Sequence, residues 1–525
     1  MKNMNFRNIL LDLSLFLPIA LNAGVVTGRV TDTNGNELSG IPISDGREIV
    51  LTDSEGRYIL ETDKRMGYVF VITPSGYEPA HSHANLPDFW NLITTPVDEN
   101  DIIDFILTPT DDSKFAFLGL ADNQLSNRSG EVNCFKSTTI PDVNVTIDSL
   151  RKEGYNPFVI MLGDQAHDCY WKKNRYGLQE AYSDLEAINS RIYNVIGNHD
   201  HDPSGWNDYE ATWEWRRNIG PTYYSFNKGG VHFVVLDDIE IVDGSPEKSK
   251  DGECVYTHHL SSDQLEWLKK DLSLVDKSNP LIIALHAPLY AAPGANTTYR
   301  VTNGEELVDL IKDFDCVEVI SGHTHVSYGA ESEDKKIHET NYGAVCGSWW
   351  LNARVDLGND NNICRDGTPS GYAIWTYDDG KFSNVYKGTG LDRNHQFRTY
   401  DLNNVTIDND QIAGEFLPDR MKDNEVLINV WGYGPGWTVE AFENGESLNV
   451  ERVRSKDPLF LLSCPMPYLE KGFELIGTVR PVYTMHMFKV KASKPDSTID
   501  VKVTDREGRV YSEKMVRPKA FTLDM

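Results

Sequence analysis

An α/β layered domain held between two all-β domains is the fold class this sequence predicts. Three observations predict it. Strand-like and helix-like stretches alternate from residue 113 to 378. Residues 24–109 before them and 386–525 after them read as short strands punctuated by Gly and Asp turns, with no helical period of useful length. A short apolar stretch, residues 1–23, precedes all three regions.

In the first β region Val25 to Val30 is a strand, Asp32 to Gly35 a turn, and Ile41 to Ile43 a short strand. Thr52 to Gly56 is a turn ahead of the strand Arg57 to Leu60, and Tyr68 to Thr73 follows. Strands at this spacing suggest a small sandwich. The run Thr52-Asp53-x-x-Gly56-x-Tyr58 resembles the carboxypeptidase-regulatory-like (transthyretin-like) β-sandwich.

In the middle region the strands are Phe115 to Leu120, Phe158 to Leu162, Ile192 to Ile196, Val231 to Leu236, Leu281 to Leu285 and Val317 to Ile320. The helices between them are Val145 to Glu153, Gln179 to Ile188, Ser261 to Leu274 and Glu305 to Phe314, with Ser261 and Ser262 available as caps. Residues 345–378 read as closing strands. The last region offers Val426 to Trp431, Trp437 to Ala441, Leu459 to Leu462, His486 to Lys491, Ile499 to Val503 and Val510 to Met515 as strands. Asp505 to Gly508 is a hairpin turn between the last two.

Five short motifs of the middle region carry the chemistry: Asp122-x-Gln124, Gly163-Asp164, Gly197-Asn198-His199-Asp200, His286 and Gly322-His323-x-His325. Most close an apolar run, which is where a parallel sheet presents its ligands. A carboxylate such as Asp164 can bridge two cations about 3.5–4 Å apart. Two histidines two residues apart can approach neighbouring metals from one turn, and His286 is placed as a nitrogen ligand. Asn198 offers a neutral oxygen, and His199 beside it is free to act as an acid.

In order, spacing and strand-end placement these motifs resemble the calcineurin-like metallophosphoesterase superfamily, over residues 113–378. The resemblance implies a double β-sheet sandwich flanked by helices and two divalent metal ions (Mn, Mg, Fe or Zn). It implies that Asp122, Asp164, His325 and Gln124 hold one metal and Asp164, Asn198, His286 and His323 the other. His199 would be catalytic, with Asp200 orienting it or a ligand. Phosphate mono- or diesters would be hydrolysed by attack of a bimetal-bridging hydroxide. The first motif departs from the usual Asp-x-His, and amide oxygen is a harder and weaker donor than imidazole, which favours Mn²⁺ or Mg²⁺ over Zn²⁺ there. Val345 to Trp350 and Asp366 to Tyr372 resemble a bacterial subgroup of exported phosphoesterases with flanking β domains. His167, Trp349 and Tyr372 are candidates to touch the substrate, the aromatics by stacking. The competing reading is an exported binding protein that keeps the fold without the activity.

A net charge of −29 over 525 residues excludes a nucleic-acid surface, which needs a basic footprint. It also repels anionic substrates at long range, so a phosphate site must be locally cationic. Lys2 and Arg7 ahead of the apolar Ile9 to Leu21, then Ala20 to Ala23, resemble a signal peptide and predict export, to a periplasm or beyond. No stretch is long and apolar enough for a transmembrane span. The partners expected are a small phosphate ester and no nucleic acid; the flanking β domains name no protein partner. Seven scattered cysteines without a CxxC pair argue against a zinc ribbon or a dense disulfide scaffold.

Overall fold

The computed structural model describes residues 24–128, 130–293, 299–351, 362–405, 423–475 and 477–523. The signal peptide expected over residues 1–23 lies outside them.

The first β region folds as two small sheets. Gly24–Asp32 pairs antiparallel with Arg57–Thr62 and parallel with Asn100–Ile102 and Phe105–Pro109. Pro42–Ser44, Ile49–Leu51, Tyr68–Val71 and Trp90–Leu92 make the second sheet. Along Arg57–Thr62 every second side chain is buried, as a strand with one wet face requires. This unit is anchored to the middle domain by Trp267, whose Nε1 donates to Ser44 Oγ at 3.0 Å and whose ring lies 6.1 Å from that of Phe70.

The middle domain is two sheets packed face to face. In the first, Phe115–Leu120, Asn156–Leu162 and Ile192–Val195 run parallel, and Gly371–Asp378 and Lys381–Gly388 extend it antiparallel. In the second, Val231–Val235, Leu281–Ala284, Val317–Ser321 and Ile337–Asn341 run parallel between two antiparallel edge strands. Aromatic side chains interlock between the sheets: Phe233 lies 5.8 Å from Phe117 and 5.6 Å from Phe158, and Tyr193 stacks on Phe226 at 4.1 Å. Helices cover the outer faces. Ile140–Lys152 turns Ile140, Val143, Ile147 and Leu150 inward, the stripe a 3.6-residue period predicts. Ser262–Leu272 starts at Ser261, whose hydroxyl accepts from the Gln264 amide.

The last region is again mostly β, with one correction. Leu459 to Leu462, expected as a strand, lies inside the helix Pro458–Ser463, followed by a second helix, Pro465–Glu470. A run of four apolar residues has no readable period. Asp457 decides the outcome: its carboxylate accepts from the Phe460 amide at 2.8 Å and Pro458 fills the first helical position. Of the residues 345–378 expected as closing strands, Gly371–Asp378 is one, whereas Val345 to Trp350 form consecutive turns over the site.

The C-terminal β domain is seated on the second sheet. Gly434 lies so close to Gly329 that a Cβ there would come within 2.8 Å of the Gly329 Cα. Arg506 Nη2 reaches Glu318 at 3.0 Å, and His486 bridges Asn429 (2.7 Å) to Asp366 (3.1 Å), whose carboxylate also accepts from the Ser327 amide.

Candidate metal centre

Every motif residue leaves the C-terminal end of a parallel strand, and the two sheets bring those ends to one edge. Asp122 follows Phe115–Leu120, Asp164 follows Asn156–Leu162, and Asn198 follows Ile192–Val195. From the other sheet His286 follows Leu281–Ala284, and His323 and His325 follow Val317–Ser321.

The backbone there is strained. Asp122, Gln124, Asp164, His323 and His325 all have positive φ, between 44° and 65°. Left-handed backbone costs a side-chain-bearing residue roughly 1–2 kcal/mol, and such strain clusters where function demands a geometry. Gly163 allows the turn: its φ is +88°, and a Cβ would sit 2.4 Å from His286 Nδ1.

The donor atoms converge closely. His286 gives its Nδ1 proton to the Leu162 carbonyl at 2.7 Å. Its Nε2 then faces Asn198 Oδ1 at 3.1 Å, His323 Nδ1 at 3.1 Å and Asp164 Oδ1 at 3.4 Å. His325 gives its Nδ1 proton to the Gly347 carbonyl at 2.9 Å and points Nε2 at Asp122 Oδ1, 3.4 Å away. That oxygen is buried and has no hydrogen bond, although its partner Oδ2 accepts from the His323 amide. Nitrogen and oxygen ligand atoms crowded together, with His286 and His325 each fixed by a carbonyl behind the ring, fit bound cations. Ligand atoms of Asp164, His286 and His323 all lie within 4.8 Å of one another.

The electrostatics agree. Burial would push the His286 imidazole down, but Asp164 overrides it and holds the proton up to about 10. Burial, with His286 and His258 beside it, pushes His323 well below its ordinary range. The buried carboxylates therefore need positive charge, which a divalent cation can supply in place of a proton.

Gln124 reaches the same place differently from an imidazole. Its Nε2 donates to Asp164 Oδ2 at 3.1 Å, and its Oε1 accepts from the Cys346 thiol at 3.5 Å. In this orientation the amide braces Asp164, and a rotated amide would present its oxygen instead.

His199 stands apart from the ligand cluster, with its backbone amide on Asp164 Oδ1 at 2.8 Å. Its Nδ1 meets Asp168 Oδ1 at 2.8 Å. Burial lowers the affinity of this ring for a proton, but Asp164 and then Asp168 raise it to about 10. Of the two roles expected for Asp200, orienting His199 or a ligand, the contact with His199 belongs to Asp168. Asp200 instead accepts from four backbone amides, those of Asp164 (2.7 Å), Gln165 (2.9 Å), Ala166 (3.1 Å) and Gly197 (3.0 Å). It ties the Asp164 loop to the Asn198 loop and touches no ring.

The three candidate substrate contacts separate. His167 lies in the cleft, its ring 4.2 Å from that of His199 and its Nε2 3.2 Å from Glu253. Trp349 stacks on His325 at 4.0 Å and covers that side of the site. Tyr372 is a correction: it is fully buried, and its hydroxyl is held by Thr146 and Asp142 at 2.7 Å each, under the helix Ile140–Lys152. It cannot reach a substrate.

Asp168, expected with His167 to line the substrate cleft, holds His199 instead, and the motifs did not reveal Glu253 or His258 as parts of the site. His258 Nε2 lies 2.9 Å from His323 Nε2. It arrives on the short strand Tyr256–His258, which pairs with Ile239–Ile241, and neither strand carries a local signal. Asp168 had one weak signal, its place four residues after Asp164.

Comparison with known proteins places the chain in a family. Residues 117–327 match the family described as Calcineurin-like phosphoesterase, residues 24–110 its N-terminal domain and residues 339–511 its C-terminal domain. The N-terminal match is to that family's own domain. Purple acid phosphatase 15 of Arabidopsis thaliana is 35% identical over 105 residues, 20% of this chain and 17% of that protein. Purple acid phosphatase 23 of the same plant is 26% identical over 153 residues, 27% of this chain and 30% of that protein. The chain thus spans 17% and 30% of these two relatives' lengths. Among solved structures, a dimetal phosphatase from Danio rerio matches with TM-score 0.36 and 18% identity, over 52% of this chain and 96% of that one. A purple acid phosphatase from yellow lupin, Lupinus luteus, matches with TM-score 0.34 and 13% identity, over 54% and 55%.

Proposed function

We propose, for a chain that is a calcineurin-like phosphoesterase with the N- and C-terminal domains of that family, that it hydrolyses phosphate mono- or diesters at a centre of two divalent cations. One observation carries the reading: Asp122, Asp164, Asn198, His286, His323 and His325 turn ring nitrogens and side-chain oxygens toward one another at the shared edge of two sheets. Asp122 and His325, with Asp164, would hold one cation; Asp164, Asn198, His286 and His323 would hold the other. Bound there, the cations would supply charge neutralisation for the phosphate and an acidified water.

The remaining work falls to the chain. Leu162 and Gly347 fix the two ligand imidazoles through their carbonyls. Asp200 keeps the Asp164 and Asn198 loops in register through four amides. His199, held at Nδ1 by Asp168, keeps Nε2 for the departing oxygen and gives it a proton as the P–O bond breaks. The His167 and Glu253 pair lines the cleft beside it. Gln124 donates to the Asp164 carboxylate from the side. Export through residues 1–23 is part of the same proposal.

Release of p-nitrophenol from its phosphate monoester and bis-ester tests the reading, with Mn²⁺, Mg²⁺, Zn²⁺, Co²⁺ or Fe²⁺ supplied. Turnover of at least one ester is expected, and His199→Ala should lose activity on alkyl esters, whose alkoxide needs a proton, while it keeps bound metal. No turnover with any of the five metals would refute it.

A further inference from the structure

Where the second sheet meets the C-terminal domain, a cavity of about 280 Å³ opens beside the candidate metal centre. Thr324, the residue between His323 and His325, forms part of its wall. Tyr299, also on the wall, sets its ring 5.7 Å from that of His323. The facing wall comes from the C-terminal domain. On the strand Glu451–Ser455 the two-residue period puts Arg452 and Arg454 on one face, and both line the cavity. Arg300 and Arg365 add two more guanidinium groups.

Among the described residues the four guanidinium groups share the cavity lining with no Asp or Glu. The chain carries a net charge of −29, and Arg29, Arg47, Arg57, Arg151, Arg191, Arg506, Arg509 and Arg517 each pair with a carboxylate. Among the described residues no carboxylate pairs with Arg300, Arg365, Arg452 or Arg454, and no acceptor takes their terminal nitrogens. Three of the four are nevertheless propped. Arg452 lies over the Tyr433 ring at 4.7 Å with Nε on the Met485 carbonyl, and Arg454 lies over the Tyr483 ring at 4.9 Å. Arg365 Nε is held by the Arg480 carbonyl at 3.0 Å. Propped guanidinium groups with free forks are built for bidentate contact with an oxyanion.

We propose that this cavity binds the far end of the substrate, and that it selects phosphate esters that carry a second anionic group, phosphate or carboxylate. The inference rests on the phosphoesterase reading and adds the substrate class. The tyrosines and alanines of the wall take the carbon skeleton, and the arginines take the distal anion. The volume limits the skeleton: ligand pockets run to roughly 300–1,000 Å³, so a single sugar or comparable small skeleton fits and a large lipid does not. The same arginines also answer the long-range problem, because they make a locally cationic approach in an acidic protein.

The test compares matched pairs on the metal-loaded full chain. Fructose 1,6-bisphosphate against fructose 6-phosphate probes a distal phosphate, and 3-phosphoglycerate against glycerol 3-phosphate probes a distal carboxylate. In at least one pair kcat/KM is expected to be tenfold or more higher for the doubly anionic member. That ratio is expected to collapse toward one in Arg452→Gln/Arg454→Gln. Ratios near one in both pairs, or a ratio unchanged in the variant, would overturn the proposal. Calorimetric titration with fructose 1,6-bisphosphate and 3-phosphoglycerate separates the two readings if nothing is hydrolysed. Binding that the variant loses would then sustain the subsite while the phosphoesterase reading falls, and absence of binding would overturn the subsite as well.

Discussion

Asp168 holds His199 by Nδ1 at 2.8 Å, and the same carboxylate accepts from the Cys254 amide at 2.6 Å. The ring is thereby fixed in one tautomer, with Nε2 left for a substrate. Asp168→Asn keeps the shape and removes the charge that, after Asp164, raises the imidazole. The expected result is a fall in kcat of roughly tenfold or more, because a positioned acid contributes about 10²–10⁴-fold. The basic limb of the pH–rate profile should move to lower pH, since less negative charge means an earlier loss of the proton. Steady-state kinetics across pH check both, and metal content measured in parallel should be unchanged.

Gln124 braces Asp164 through Nε2 and takes the Cys346 thiol on Oε1. Gln124→His exchanges an amide for an imidazole at the candidate site shared by Asp122 and His325. Tighter binding of Zn²⁺ relative to Mn²⁺ is expected, in line with the affinity of imidazole for borderline metals. Competitive metal titration of the two proteins reads this directly, and identical preferences would remove Gln124 from the ligand set.

Tyr372 lies under a helix with its hydroxyl on Asp142 and Thr146. Tyr372→Phe should leave KM unchanged for every ester tested. It should cost about 1 kcal/mol of stability, because the half-buried Asp142 carboxylate loses one donor and keeps Lys387. Urea unfolding and steady-state kinetics on the one variant separate these effects.

Glu318 joins the middle and C-terminal domains through Arg506 at 3.0 Å. Burial pushes its carboxyl from 4.5 up to about 7, against the pull of Arg506. A carboxyl raised in the fold keeps a proton that the unfolded chain has already released. Its contribution to stability therefore falls as pH rises from near 4.5 through about 7. Glu318→Gln cannot titrate, so between those limits it should gain on wild type by on the order of 2 kcal/mol. Denaturant unfolding of both proteins at pH 4.5 and 7.5 measures the difference.

How far the sequence discloses this molecule differs from place to place. Asp122, Asp164, Asn198, His286, His323 and His325 were legible because each closes an apolar run, and parallel strands bring such ends together. The alternation of strands and helices likewise announced the layered domain, whose two sheets carry the site. Partner choice within the site was not legible. Asp200 neighbours His199 in sequence, yet its carboxylate turns back to four amides, and Asp168 reaches the ring across a loop. Tyr372 shows the same limit, since periodicity does not say which face of a strand buried on both sides meets the ligand. At Pro458–Ser463 the signal was present in Asp457 and Pro458, and the apolar run outweighed it.

The central claim is that the converging donors of Asp122, Asp164, Asn198, His286, His323 and His325 hold the divalent cations on which ester hydrolysis depends. The most direct test is a titration of chelator-stripped protein with Mn²⁺, following bound metal and p-nitrophenyl phosphate hydrolysis together. The account predicts no turnover in the stripped protein and a rise that reaches its plateau near two cations per chain, with Asp164→Asn abolishing both signals. Hydrolysis that survives chelation, or metal that binds Asp164→Asn as it binds wild type, would contradict it.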